Sequence, residues 1–363
     1  MHRSPARIRF AVLAGALAIG TAWPAAAANA PLTPAGAVQM ALAHDFSVRL
    51  AEISYQSAQL SYQRAQASNL LSGTDASRLQ AESDRHAAQL TYAQSRDNAV
   101  SDTIDALYAL RSAQANQKIA ADQLKLAQMK LDIVISKEKT GAAQALDEVS
   151  ARASLANAQS GLTKANASLA QALDALRTSL GLDAGAPVDF GDLPAITAYT
   201  PPTDGVDRAV QASPAIVQAT TALKLAQLNL DQVKASGAAP LDVQQAQNGL
   251  DSAQVKLDQA KANLAQQVKN AIAQLNQADD ALQAAKASLE LAQQQHDIIV
   301  KQAAAGLKTD TDVLSDSISL AQSQNGLLNA QRSYQSAVYA VQTLLGEDLT
   351  GGSSNADSQS ASK

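Results

Sequence analysis

The chain is written twice, and that duplication limits its folds more than any other feature. Ala37-Val38-Gln39-Met40-Ala41-Leu42 opens the first copy, and Gly205-Val206-Asp207-Arg208-Ala209-Val210 opens the second, 168 positions later. Ala58-Gln59-Leu60 meets Ala226-Gln227-Leu228 at the same offset. Beyond the next turn the offset becomes 165: Leu126-Ala127-Gln128 matches Leu291-Ala292-Gln293, and Gly141, Gly161 and Gly181 match Gly306, Gly326 and Gly346. Copy one therefore carries three extra residues in one turn, between Ser68 and Ser77. A unit repeated in tandem folds as one supersecondary block used twice.

Proline punctuates these units. None occurs from Gly36 to Ala186 or after Pro240, whereas Pro187, Pro194, Pro201, Pro202 and Pro214 crowd the junction. Long proline-free spans with few glycines are free to be continuous helix. The expected elements of copy one are helices near 34–43, 46–70, 77–139 and 145–180. Copy two repeats them near 203–212, 214–236, 241–304 and 309–345. At 1.5 Å per residue the long helix covers roughly 95 Å, its predecessor about 36 Å and its successor about 54 Å. The two shorter helices then fit end to end beside the long one, with the proline-rich junction partway up the rod.

Residues 1–28 read as a secretory signal: Arg3, Arg7 and Arg9 precede an apolar run from Phe10 to Ala22, and Ala26-Ala27-Ala28 offers a cleavage site. The other expected boundaries are repeat one at 29–181, a proline-rich linker at 182–203, repeat two at 204–346, and a disordered Gly/Ser-rich tail at 347–363. No later run approaches the ~18 apolar residues of a spanning helix. With no cysteine, neither a lipid anchor after the signal nor a disulfide scaffold is expected.

Composition agrees with a thin helical object. Aromatics are 3% of the 363 residues, too few to fill two ordinary globular cores. A formal charge of −5 argues against nucleic acid as a partner. In copy two, Val268, Leu275, Leu282 and Leu289 hold one heptad position, and Ala271, Ala278, Ala285 and Ala292 hold the one three later. A 3.5-residue hydrophobic repeat gives left-handed supercoiling with knobs in holes. The fold class is all-α: two tandem long antiparallel helical hairpins in coiled-coil packing. Periodicity leaves two closures open, a hollow cylinder with amide-rich walls or a solid antiparallel rod.

With repeats, tip glycines and helix order in place, residues 33–346 resemble the TolC-like outer-membrane efflux duct family. The stretch Gly306-Leu307-Lys308-Thr309-Asp310-Thr311-Asp312-Val313-Leu314, and the helix after it ending at Leu345-Gly346, are similar to that family's tip turn and return helix. The resemblance implies a homotrimeric helical tube serving tripartite efflux or type I secretion, with a periplasmic adaptor and an inner-membrane pump as partners. It implies an exported protein of the periplasm or cell envelope, outer-membrane associated, with no enzymatic role and no cofactor. It implies adaptor-facing tip turns at Gly141 and Gly306, a constriction aspartate at Asp312 and a latch between Lys308 and Asp147. Asp and Thr after a glycine are also ordinary helix starts.

The chain departs from that family at the other end. A membrane hairpin needs some 20–25 residues, whereas the two turns here have about nine and about six. The expectation is a tube protomer without its β-barrel, so the resemblance does not extend to direct insertion in a membrane. Other patterns are unremarkable: His44, His86 and His296 lack partners at metal-ligand spacing, and no nucleophile–base set stands out. The alternative function is an exported coiled-coil spacer with no lumen; an adaptor-like role is disfavoured by two hairpins without strands.

Overall fold

The computed structural model describes residues 33–69, 75–186, 188 and 191–350. The expected signal at 1–28, most of the first turn and the tail beyond Thr350 lie outside them. Eight helices follow one another: α1 (Pro34–His44), α2 (Phe46–Asn69), α3 (Asp75–Lys139), α4 (Ala145–Ser179), α5 (Gly205–Ala212), α6 (Pro214–Ala235), α7 (Pro240–Ala304) and α8 (Asp310–Leu345). No strand occurs among the described residues, and none of their helices is long and apolar enough to cross a membrane.

The punctuation acts locally as anticipated. Pro34, Pro214 and Pro240 each sit in the first turn of a helix, where the missing N–H removes no bond. Asp45 accepts from the Ser47 and Val48 N–H groups at 2.7 and 3.0 Å, and Ser213, its equivalent in copy two, accepts from the Ile216 N–H at 3.4 Å. Helices α3 and α7 are both 65 residues long. Helices α2 and α4 pack along α3, and α6 and α8 along α7, so each copy is a long helix beside two shorter ones.

The two copies are joined sideways. Helix α3 also packs against α6 and α8 of copy two. The lateral order is α7, then α6 with α8, then α3, then α2 with α4. Helix α3 is covered on both flanks, while α7 and the α2/α4 column form open edges.

The core is concentrated at mid-height. Leu107, Tyr108, Leu110, Leu176 and Leu180 centre one cluster; Val268, Leu275, Leu282, Val338 and Val341 centre the other. The linker's Ile196 touches both. The short helices add a matched clamp. A Cβ at Gly181 would come within 2.5 Å of the His44 ring, and one at Gly346 within 2.6 Å of the Ala212 Cβ. Both glycines hold positive φ, 66° and 70°, so each copy closes α4 or α8 tightly against the end of α1 or α5.

Toward the tip the packing thins. Val268, Leu275 and Leu282 are buried, but Leu289 and Ala292 of the same heptad rows are only half-buried. The seam read from periodicity is therefore dry at the belt and wetter beyond it.

Candidate functional site: the open edges and the helical tip

The two open edges carry most of the exposed large apolar side chains among the described residues. On α2, Phe46, Leu50, Ile53 and Leu60 are exposed, Phe46 to 83%. On α7, Leu241, Val255, Leu291 and Ile298 are exposed, Leu291 to 65%. Phe46, Ile53 and Leu60 repeat every seven residues, and so do Leu291 and Ile298. These are supercoil seams without a mate, one on each side of the sheet of helices.

The tip lies at the α3–α4 and α7–α8 reversals. Gly141 and Gly306 take φ of 74° and 76°. The N–H of Ala142 bonds to the Lys137 carbonyl and that of Leu307 to the Gln302 carbonyl, closing both long helices in the same way. Each return helix then opens with a reciprocal cap. Asp147 accepts from the Gln144 N–H at 2.9 Å, and Asp312 accepts from the Thr309 N–H at 2.9 Å and from its hydroxyl at 2.8 Å. Asp147 and Asp312 lie 165 positions apart, so they are one residue of the repeat used twice.

Hydrogen bonds from the Thr309 backbone and side chain hold the Asp312 carboxyl below its ordinary pKa, helped by Lys308 and by Lys130 of α3. The structure thus brings Lys308 into the field of Asp312, and no ion pair joins Lys308 to Asp147 within the described residues of one chain. All three side chains are exposed.

Sequence reasoning passed over other tip residues. Glu138 at the end of α3 shares a hydrogen bond with Glu148 of α4, which raises its pKa, while Glu148 also pairs with Arg152 at 2.5 Å. Copy two has Ala303, Val313 and Ser317 at these positions, so the paired carboxyls belong to one copy only. Such unduplicated charge was a usable signal. His296 was expected to stand alone; instead its Nδ1 lies 2.7 Å from the Asp316 carboxylate, tying α7 to α8. Their twins are Leu131 and Ala151, so the same crossing is apolar in copy one.

The sequence profile of the outer membrane efflux proteins matches residues 69–182 and 236–347, one stretch in each copy. The chain belongs to the outer membrane efflux protein family. That family is one of envelope ducts, not of enzymes.

Solved structures share the fold. The Campylobacter jejuni outer membrane channel CmeC superposes with a TM-score of 0.64 at 14% identity, over 87% of this chain and 86% of that one. The Vibrio cholerae outer membrane protein VceC gives 0.61 at 16% identity, over 86% and 96%. A Pseudomonas aeruginosa membrane protein gives 0.63 at 15%, over 88% and 91%. No curated protein matches in sequence. In this chain the α6–α7 reversal needs only Ser236–Ala239 and carries no strand.

Proposed function

We propose that this protein is the exit-duct component of a tripartite efflux or type I secretion system, with three copies closing a helical conduit in the cell envelope. The observation carrying this reading is the pair of unmated apolar edges. The α2/α4 edge of one chain and the α7 edge of the next lie on opposite sides of one sheet of helices, and both carry heptad-spaced apolar side chains: Phe46, Ile53 and Leu60 in the half away from the tip, and Leu291 and Ile298 in the tip half, at the height of α4. A heterologous contact of that kind closes a ring when the rotation per copy suits it. The tandem units, 29–181 and 204–346 around a 182–203 linker, then alternate around the wall.

Within that conduit Asp312 supplies a threefold acidic ring at the narrow end. Lys308 and Asp147 form a latch between copies, and the turns at Gly141 and Gly306 face a periplasmic adaptor coupled to an inner-membrane pump. The pump drives the cargo, so the duct supplies only a wall and a gate. Carboxylates gathered on a narrow axis attract cations and disfavour one another's ionisation.

The test is the particle itself. Purified chain is expected to have the mass of a trimer and a central hole in electron micrographs; a solid rod, or a monomer at micromolar concentration, rules the proposal out. Phe46→Asp and Leu291→Asp are each expected to abolish the ring while leaving helix content intact.

A further inference from the structure

The duplication lets a missing junction be read from one that is present. Within the chain, α3 of the first repeat packs against α6 of the second. The offsets are 165 along α3 and 168 along α1 and α2, so each contact there has a twin made of one residue on α7 and one on α1 or α2. These twins lie on the two open edges, and a single chain does not bring them together.

Three stations set the height of the inner junction. Gln94 of α3 donates through Nε2 to the Ala212 carbonyl, which ends α5, at 3.5 Å. Leu90, one turn earlier on the same face, is half-buried. His86, one turn earlier again, and Val217 of α6 line opposite walls of the cleft between the two helices. The twins are Gln259 with His44, then Val255, then Asp251 with Arg49. Asp251, Val255 and Gln259 recur every four residues and so form one stripe on α7.

That stripe is bare. Val255 is 64% exposed where Leu90 is half-buried, and Gln259 is exposed where Gln94 is half-buried. On α2, Ile53 is 61% exposed where its twin Thr221 is 7% exposed. The helices match in length, so what differs is the neighbour. Arg49 and Asp251 are both exposed, and neither joins an ion pair among the described residues. They replace the facing Val217 and His86 with opposite charges.

We infer that a second copy of the chain covers this stripe in the register of the inner junction. Arg49 of one chain pairs with Asp251 of the next, and Gln259 donates to the His44 carbonyl that ends its neighbour's α1. Val255, midway between them, comes level with Phe46. The inference rests on the ring proposed above and gives its contact a register and a charge code. The ion pair of Arg332 with Asp105 across the inner junction is not repeated, because its twins are Ala167 and Asn270. Charge selection between chains therefore falls to Arg49 and Asp251, where like charges in a slipped alignment are penalised.

The experiment measures assembly of the full purified chain by sedimentation. Arg49→Asp and Asp251→Arg are each expected to raise the concentration of half-assembly about tenfold, and the two together to restore it. Both positions are exposed, so helix content by circular dichroism is expected to stay at the parent value. The chain has no cysteine, so paired thiols report the register directly. Arg49→Cys with Asp251→Cys, treated with a short bismaleimide, is expected to give covalent trimers; Arg49→Cys with Asp258→Cys, one heptad nearer the tip, is not. A trimeric parent that neither reversal weakens, or that cross-links better through position 258, overturns this register and leaves the duct standing. A monomeric parent overturns both.

Discussion

Arg332 of α8 grips Asp105 of α3 through two parallel hydrogen bonds, each 2.6 Å, across the boundary between the two copies. One helical stretch away Asn325 bonds to Ser112 at 2.9 Å and to Asn116 at 2.8 Å. These contacts fix the register of α8 against α3 where small residues alone would let the helices slide. Both members of the ion pair are about one-third exposed, so solvent screens it. Arg332→Ala is expected to cost about 1 kcal/mol in urea unfolding, and a double-mutant cycle with Asp105→Asn to show non-additivity. Additive losses would mean that the pair is not coupled.

The belt glycines should rank differently from the tip glycines. Gly346→Ala forces a positive φ on alanine and drives its Cβ into Ala212, for a loss of about 2–3 kcal/mol. Gly306→Ala meets open space and carries only the backbone term, about 1 kcal/mol. Thermal melts of the two variants check the order, and equal losses would remove the clamp from the argument.

Asp97 is buried and accepts the Leu349 N–H at 3.1 Å. Burial raises its pKa, opposed by that bond and reinforced by Asp348. Its folded pKa therefore exceeds its unfolded one, so the native state holds the proton more tightly. Its ionisation weakens the fold as pH rises from the ordinary carboxylate value through the raised one. Asp97→Asn keeps an acceptor and drops the charge, and is expected to hold or raise the melting temperature at neutral pH. Asp97→Leu leaves the N–H unpaired and is expected to lose about 1–3 kcal/mol.

Asp312 runs the other way. Its pKa is lowered, so its support for the start of α8 is complete above the ordinary carboxylate range and fades as pH falls through the lowered value. Carboxyl NMR of Asp312 should show protonation below that of a model peptide. Thr309→Val, which removes the hydroxyl donor, should move the titration upward; an unmoved curve would deny the cap its role.

The copies should also differ in local stability. Tyr55, Tyr62 and Tyr92 lie between α2 and α3, with Tyr55 and Tyr92 stacked at 6.3 Å, where copy two has Leu223, Leu230 and Leu257. Tyrosine keeps a wet hydroxyl where leucine buries everything, and α2 is an open edge. Amides of α2 are expected to exchange faster than those of α6 in the monomer and to slow on assembly. Equal rates before and after assembly would place the contact elsewhere.

The helices were legible because their limits are chemical. Pro34, Pro214 and Pro240 start them, and Gly141, Gly306 and Gly346 stop them, whatever packs alongside. The heptad rows told which side of α7 is dry at Leu275 and Leu282. They did not tell which neighbour lies there, because leucine and alanine seams accept many mates. The contacts Arg332–Asp105 and Lys130–Asp312 depend on the lateral order of helices from different copies, and no local pattern announces them, whereas His296–Asp316 is symmetric about Gly306 and spans one short turn. The symmetry of Asp147 and Asp312 was readable from the offset of 165 alone. Their reading as ordinary helix starts was also available from Asp and Thr after a glycine, and the bonds to the Gln144 and Thr309 N–H groups match it.

The four residues Ser236–Ala239 turn α6 into α7 without touching the belt that holds the shaft together. A reversal of that kind is a socket in the gene as much as in the protein. Segments can be spliced in or lost there while the shaft below keeps its register. The register of the shaft is set at its belt, independently of the length of that reversal.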